Sequence, residues 1–289
     1  GQDQRGRSEI YGGAASGCHP DFKYGVFKKA AKAVRDENMQ RLTIERFRAL
    51  SYESNEAMNA LCTNLFFAGG DIRRIMITSC RPQEGKSFVA MNLLRSMAAL
   101  GKKVVLVDAD IRASALQGSY GIRAESEGGG KLRGLTHYLA GQCPTEDVLY
   151  QTDLLNAWMV LAGKTVNNSL PLLNTPRLGT LLDDLARRFD IVIVDAPPVG
   201  TIIDAARIAS SCDGTLFVVQ SGEIPARELQ ESIHQIEKSG SPILGTVLNK
   251  YDERRYGTRY YYGKNSYYYG AKSGTHHSAK GLKAGKKRR

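Results

Sequence analysis

A chain of 289 residues with 42% hydrophobic residues, 30 glycines and 9 prolines can bury one large core or two small ones, and one globular domain with tails is expected. No run approaches the roughly 18 to 20 apolar residues of a membrane-spanning helix and no charged-then-apolar leader opens the chain, so a soluble protein is expected. The net charge of +11 would suggest a nucleic-acid or anionic-membrane partner if it were spread over the fold, but it is not.

Residues 51–250 carry 19 basic and 21 acidic side chains, whereas residues 251–289 carry 11 and 2, so the tail alone holds +9. Lys280, Lys283, Lys286, Lys287, Arg288 and Arg289 could meet an acidic membrane or RNA. A solvated end is the plainer reading, and nucleic acid is not the expected partner. Five cysteines, Cys18, Cys62, Cys80, Cys143 and Cys212, lie far apart and are odd in number, which fits reduced thiols in a cytosol.

In chain order, residues 1–21 are rich in Gly, Ser and charge and read as disorder. Residues 23–50 have helical composition, with Phe27, Ala30, Ala31 and Val34 forming an apolar stripe. The expected organisation is a basic, partly helical or disordered segment over 1–50, a globular domain over 51–250 and a disordered tail over 251–289.

From Ile75 apolar runs alternate with helical segments. The runs are IMITS (75–79), VVLVD (104–108), WMVLA (158–162), IVIVD (191–195), TLFVV (215–219) and ILGTVLN (243–249). Their near-continuous hydrophobicity predicts strands buried on both faces. SFVAMNLLRSMAAL, TPRLGTLLDDLARRF and PARELQESIHQIEKSG between them carry helical spacing, the last with Pro225 near its start and Gly240 at its end. This predicts an α/β fold with a doubly wound, mostly parallel sheet, whose ligands sit at the carboxyl ends of the strands.

IMITS runs into SCRPQEGKSF and then a helix, the context a phosphate-binding loop requires. Helix-start amides cradle phosphate, Lys86 neutralises charge, and the Ser87 hydroxyl can ligate Mg²⁺. Cys80 stands where the strict motif places its first glycine. Asp108 and Asp110 close one strand and Asp195 another, so the topology sends all three toward the crevice of Lys86. Each aspartate alone could cap a helix; beside a triphosphate, carboxylates hold Mg²⁺ directly or through water. The histidines show no ligand spacing.

Eight of the 14 tyrosines lie within residues 251–269, among Gly, Ser, Asn and basic residues. The cluster lacks the aliphatic alternation of a core strand. Aromatics interleaved with cations also suit single-stranded nucleic acid, a competing reading of the tail.

These motifs resemble the bacterial tyrosine kinases of capsule and exopolysaccharide export. The resemblance runs from about Glu56 to Tyr251 through RPQEGKS, VVLVDADIR, GLTHYLAG, SLPLLNTPRLGTLLDDLARRFDIVIVDAPPV and CDGTLFVV, and resumes in the tyrosine cluster. It implies a P-loop fold of the Min and Par type that uses ATP and Mg²⁺ to phosphorylate tyrosine. Gln83, Glu84, Gly85, Lys86, Ser87 and Phe88 would contact ATP; Ser87, Asp108, Asp110 and Asp195 would hold the metal. Lys86, Asp108, Asp110, Asp195 and Arg112 would act in catalysis, with Asp108 orienting or deprotonating the acceptor hydroxyl.

The acceptors would be Tyr256, Tyr260, Tyr261, Tyr262, Tyr267, Tyr268 and Tyr269 of the chain's own tail. The family pattern also implies a homo-oligomeric ring, a cognate tyrosine phosphatase and a membrane-embedded polysaccharide co-polymerase whose cytoplasmic tail activates the kinase. The chain would then be cytoplasmic, at the inner membrane face through that activator. Two departures stand out. Glu56, Asn59 and Cys62 occupy the positions where the family usually has a Glu and two arginines, and Gln83 stands where it commonly has glycine. A partitioning-type ATPase switch that binds DNA or membrane through the basic tail is the competing function.

Overall fold

A computed structural model describes residues 40–124, 132–201 and 203–251. The expected helical stripe at 27–34, the basic C-terminal residues and the acceptor tyrosines from Tyr256 onward lie outside the described residues.

Every apolar run named above forms a strand. Strands β2 (Arg74–Ser79), β3 (Val104–Asp108), β6 (Ala157–Val160), β7 (Ile191–Asp195), β8 (Gly214–Gln220) and β9 (Ile243–Asn249) are joined by three short strands, β1 (Arg41–Ile44), β4 (Ile122–Ala124) and β5 (Tyr150–Thr152). The nine-stranded order is β4-β1-β5-β6-β3-β7-β2-β8-β9. Pairing is parallel from β6 through β9 and between β1 and β5, and antiparallel at β1–β4 and β5–β6. The mostly parallel, doubly wound sheet is therefore present.

β1 corrects one expectation. Residues 41–44 are strand, not helix or disorder, because Leu42 and Ile44 alternate into the core with no exposure while Arg41 and Thr43 face outward. The sheet thus reaches N-terminal of residue 51.

Helices cover both faces. On one lie α1 (Tyr52–Phe67) and α2 (Lys86–Ala99), whose Met58, Cys62, Leu65, Leu93, Leu94 and Met97 pack with Ile75, Ile77 and Leu106 of the sheet. On the other, Met76, Val105, Val107 and Val194 meet residues of the short helices α4 (Leu135–Leu139), α5 (Leu170–Leu173) and α7 (Asp204–Ala209) and of the longer α6 (Arg177–Arg188) and α8 (Ala226–Glu237). Helix α3 (Leu116–Tyr120) precedes β4.

The logic of α6 is direct: Leu178, Leu181, Leu182 and Leu185 fall at i, i+3, i+4 and i+7 and are buried, leaving Asp184 and Arg188 to pair outside at 3.4 Å. The central strands β3 and β7 are buried at every residue, so their carboxyl ends can leave the sheet only into the crevice above it. The compact unit that holds the sheet ends at Lys250.

Candidate nucleotide site

β2 ends at Ser79 and α2 begins at Lys86, and the six residues between them form the loop. Cys80 is buried and has no positive φ, so this position does not require the missing glycine. Two later residues do enter the left-handed region: Gln83 at φ 66° and Gly85 at φ 100°. Gly85 caps α2 without a side chain, leaving that helix start open to an anion.

Three side chains hold the loop from behind. Glu84, 2% exposed, accepts from the amide of Arg81 and, at 2.9 Å, from that of Gln220 at the end of β8. Asn249 Nδ2 donates to the Glu84 carbonyl at 2.8 Å. Lys250 Nζ donates to the Gln83 carbonyl at 2.8 Å and to Gln220 Oε1 at 2.9 Å. The Glu84 side chain is therefore committed to the scaffold, and Phe88 lies half exposed in the first turn of α2. Sequence reading missed Asn249, Lys250 and Gln220; the only signal was their place at the ends of two apolar runs.

The charged side chains lie at the ends of β3 and β7 and at the start of α2. Asp108 and Asp195 are register partners on adjacent strands, both 1% exposed. Lys86 Nζ donates to Asp110 Oδ2 at 3.1 Å, and Asp110 Oδ1 accepts from the Ala113 amide at 3.1 Å. Ser114 Oγ donates to Asp108 Oδ2. Asp108 Oδ1 and Asp195 Oδ1 are buried without a hydrogen-bond partner among the described residues.

Electrostatics follow from this crowding. Burial opposes charge on Lys86, but Asp195, Asp110 and Asp108 outweigh it and hold the ammonium above its usual pKa. Burial, followed by the charge of Asp195, pushes Asp108 up to about 8 despite the Ser114 hydrogen bond. Burial pushes Asp195 to about 6, with Lys86 and a Ser87 hydrogen bond pulling the other way. A site with one cation and three carboxylates is short of positive charge.

Among the described residues no three His, Cys, Asp or Glu side chains form a metal cage by themselves. Mg²⁺ at a nucleotide needs only one or two carboxylates plus phosphate oxygens and water. The orphaned oxygens of Asp108 and Asp195, beside Ser87, fit that requirement. Asp110 is already engaged by Lys86. Arg112, two residues on, approaches Asp204 with its Nη1 at 3.9 Å from Oδ2.

Fold and loop together define a P-loop nucleotide-binding domain, and the family model described as the CobQ/CobB/MinD/ParA nucleotide binding domain matches residues 75–272. Within that class, the chain is 36% identical over 214 residues to tyrosine-protein kinase CpsD of Streptococcus agalactiae, covering 73% of this chain and 91% of that protein. It is 29% identical over 241 residues to the succinoglycan biosynthesis transport protein ExoP of Rhizobium meliloti, covering 81% of this chain and 30% of that one. The kinase domain of the Escherichia coli tyrosine kinase ETK superposes with a TM-score of 0.61, at 28% identity over 72% of this chain and 88% of that domain. The chain belongs to the bacterial tyrosine kinases of capsule and exopolysaccharide synthesis.

Proposed function

We propose that the crevice binds Mg-ATP and transfers its γ-phosphoryl group to tyrosines of the chain's own tail, regulating polysaccharide polymerisation or export. The observation that carries this reading is the meeting of Lys86, Asp110, Asp108 and Asp195 at the start of α2. The open amides at Gly85–Ser87 and the Lys86 ammonium would bind the β- and γ-phosphates. Ser87 and Asp195 would hold Mg²⁺ directly and Asp108 only through a metal-bound water, and the metal would supply charge neutralisation at the phosphates.

With Oδ2 occupied by Ser114, Asp108 keeps Oδ1 for the acceptor hydroxyl. That oxygen would take the phenolic proton as the tyrosine oxygen bonds phosphorus and the bond to ADP breaks. The transition state is loose, so positioning and charge matter more than base strength. Arg112 would offset the charge spread over the transferring oxygens.

The acceptors in this reading are Tyr256, Tyr260, Tyr261, Tyr262, Tyr267, Tyr268 and Tyr269. Each phosphate adds about −1.5 to −2 charge, so about five or six would cancel the tail's +9. No helix among the described residues is long and apolar enough to cross a membrane. A membrane-embedded co-polymerase with a cytoplasmic tail would recruit and activate the chain at the inner membrane face, and a cognate phosphatase would reset it. A homo-oligomeric ring would have to use α1 differently, because Cys62 is fully buried and Asn59 donates to Glu56 at 3.4 Å.

Incubation with γ-labelled ATP and Mg²⁺ beside candidate activator tails tests this. Label retained on the chain, and lost in Asp195→Asn, is expected. ATP hydrolysis without retained label would favour the partitioning-type switch.

A further inference from the structure

Asp204 opens α7 and is 1% exposed, yet its Oδ1 has no hydrogen-bond partner among the described residues. A carboxylate in the first turn ordinarily accepts the free amides of its own helix. Asp204 is turned elsewhere. Its Oδ2 accepts from Ser169 Oγ and lies 3.9 Å from Arg112 Nη1.

Ser169 carries the same message. It is fully buried at the N-cap of α5, where a serine hydroxyl would usually cap the helix, but it makes no cap bond and donates to Asp204 instead. The surrounding backbone fixes the arrangement. The Val166 amide donates to Ile111 O at 3.1 Å, tying the loop after β3 to the approach to α5, and Arg207 Nε donates to Leu173 O at 3.4 Å, tying α7 to α5.

A buried carboxylate with a free oxygen is costly unless a cation completes it. Arg112 is the cation at hand, with a side chain 37% exposed against 7% for Asp110. It is therefore partly open to solvent where Asp110 is not.

We propose that Asp204, seated on Ser169, is a positioning residue that holds the Arg112 guanidinium in place during phosphoryl transfer. The proposal rests on the kinase reading for its catalytic half. The seat itself does not depend on it. Arg112 uses one nitrogen toward Asp204 and keeps the rest of its planar fork for phosphoryl oxygens or for the incoming tyrosine's surroundings.

The test uses the full chain with an activating tail, and the variants Asp204→Asn, Ser169→Ala and Arg112→Ala, each checked by thermal unfolding. Asp204→Asn keeps shape and removes charge; Ser169→Ala covers the case in which the first variant fails to fold. The rate at which phenylglyoxal modifies Arg112, read by peptide mass spectrometry, should rise severalfold in both. Phosphotyrosine turnover should fall roughly 10- to 100-fold in Asp204→Asn, a loss of orientation, while Mg-ATP affinity holds. Asp204→Asn should add nothing further in an Arg112→Ala background. Unchanged modification of Arg112, or a full additional loss in the double variant, overturns the proposal. A wild-type chain that makes no phosphotyrosine overturns the kinase reading instead, and the modification rates still decide the seat.

Discussion

Asp108 and Asp195 stand opposite each other at the ends of β3 and β7, and each keeps one buried oxygen without a hydrogen-bond partner among the described residues. In the metal-free chain this pair opposes folding. Both carboxyls titrate near 4 when unfolded, but in the fold burial lifts Asp195 to about 6 and Asp108 to about 8. The folded chain therefore retains protons that the unfolded chain has lost. Stability from the pair is greatest below the unfolded values, falls as pH rises through about 6 and then about 8, and levels above that. Relative to Asp108→Asn, the metal-free wild type should lose Tm steadily between about pH 5 and pH 8, and Mg-ATP should restore it. A difference that is flat, or that grows in the wild type's favour with pH, contradicts this.

The contacts behind the phosphate loop predict a second effect. Lys250→Ala removes the donor to Gln83 O and Gln220 Oε1 and should weaken Mg-ATP binding about tenfold, or about 1.4 kcal/mol, by loosening the loop. Gly85→Ala should be worse: its Cβ would fall 2.0 Å from Asn249 Nδ2 at a φ of 100°. Adding Asn249→Ala should relieve the collision but not the backbone strain, so rescue should be partial. Nucleotide titration of the three variants checks the order; full rescue would mean that the φ of Gly85 carries no cost.

Gln83 gives a third prediction. At φ 66° a non-glycine residue is strained, and a β-branched one more so. Gln83→Gly should change stability by less than about 0.5 kcal/mol, because relief of strain is offset by the freer unfolded chain. Gln83→Val should cost about 1 to 2 kcal/mol in denaturant unfolding. Equal stability of the two variants would rule the strain out.

The parallel core was legible because strands buried on both faces leave uninterrupted apolar runs, as in IVIVD of β7. The three short strands were not. RLTI of β1 offers only two inward residues among charged neighbours, and its place between β4 and β5 is set by tertiary pairing. Lys86, Asp108, Asp110 and Asp195 could be placed because strand ends in a parallel sheet converge. Asn249 could not, since it acts on a loop 165 residues away, and neither could Asp204, whose side chain answers to Ser169 and Arg112 instead of its own helix.

The central claim is tested most directly by peptide mass spectrometry of the chain after incubation with Mg-ATP and candidate activator tails, beside a Lys86→Met control. The account predicts phosphate on residues between Tyr256 and Tyr269 that disappears in the control. A tail that stays unmodified while ATP is turned over would contradict it.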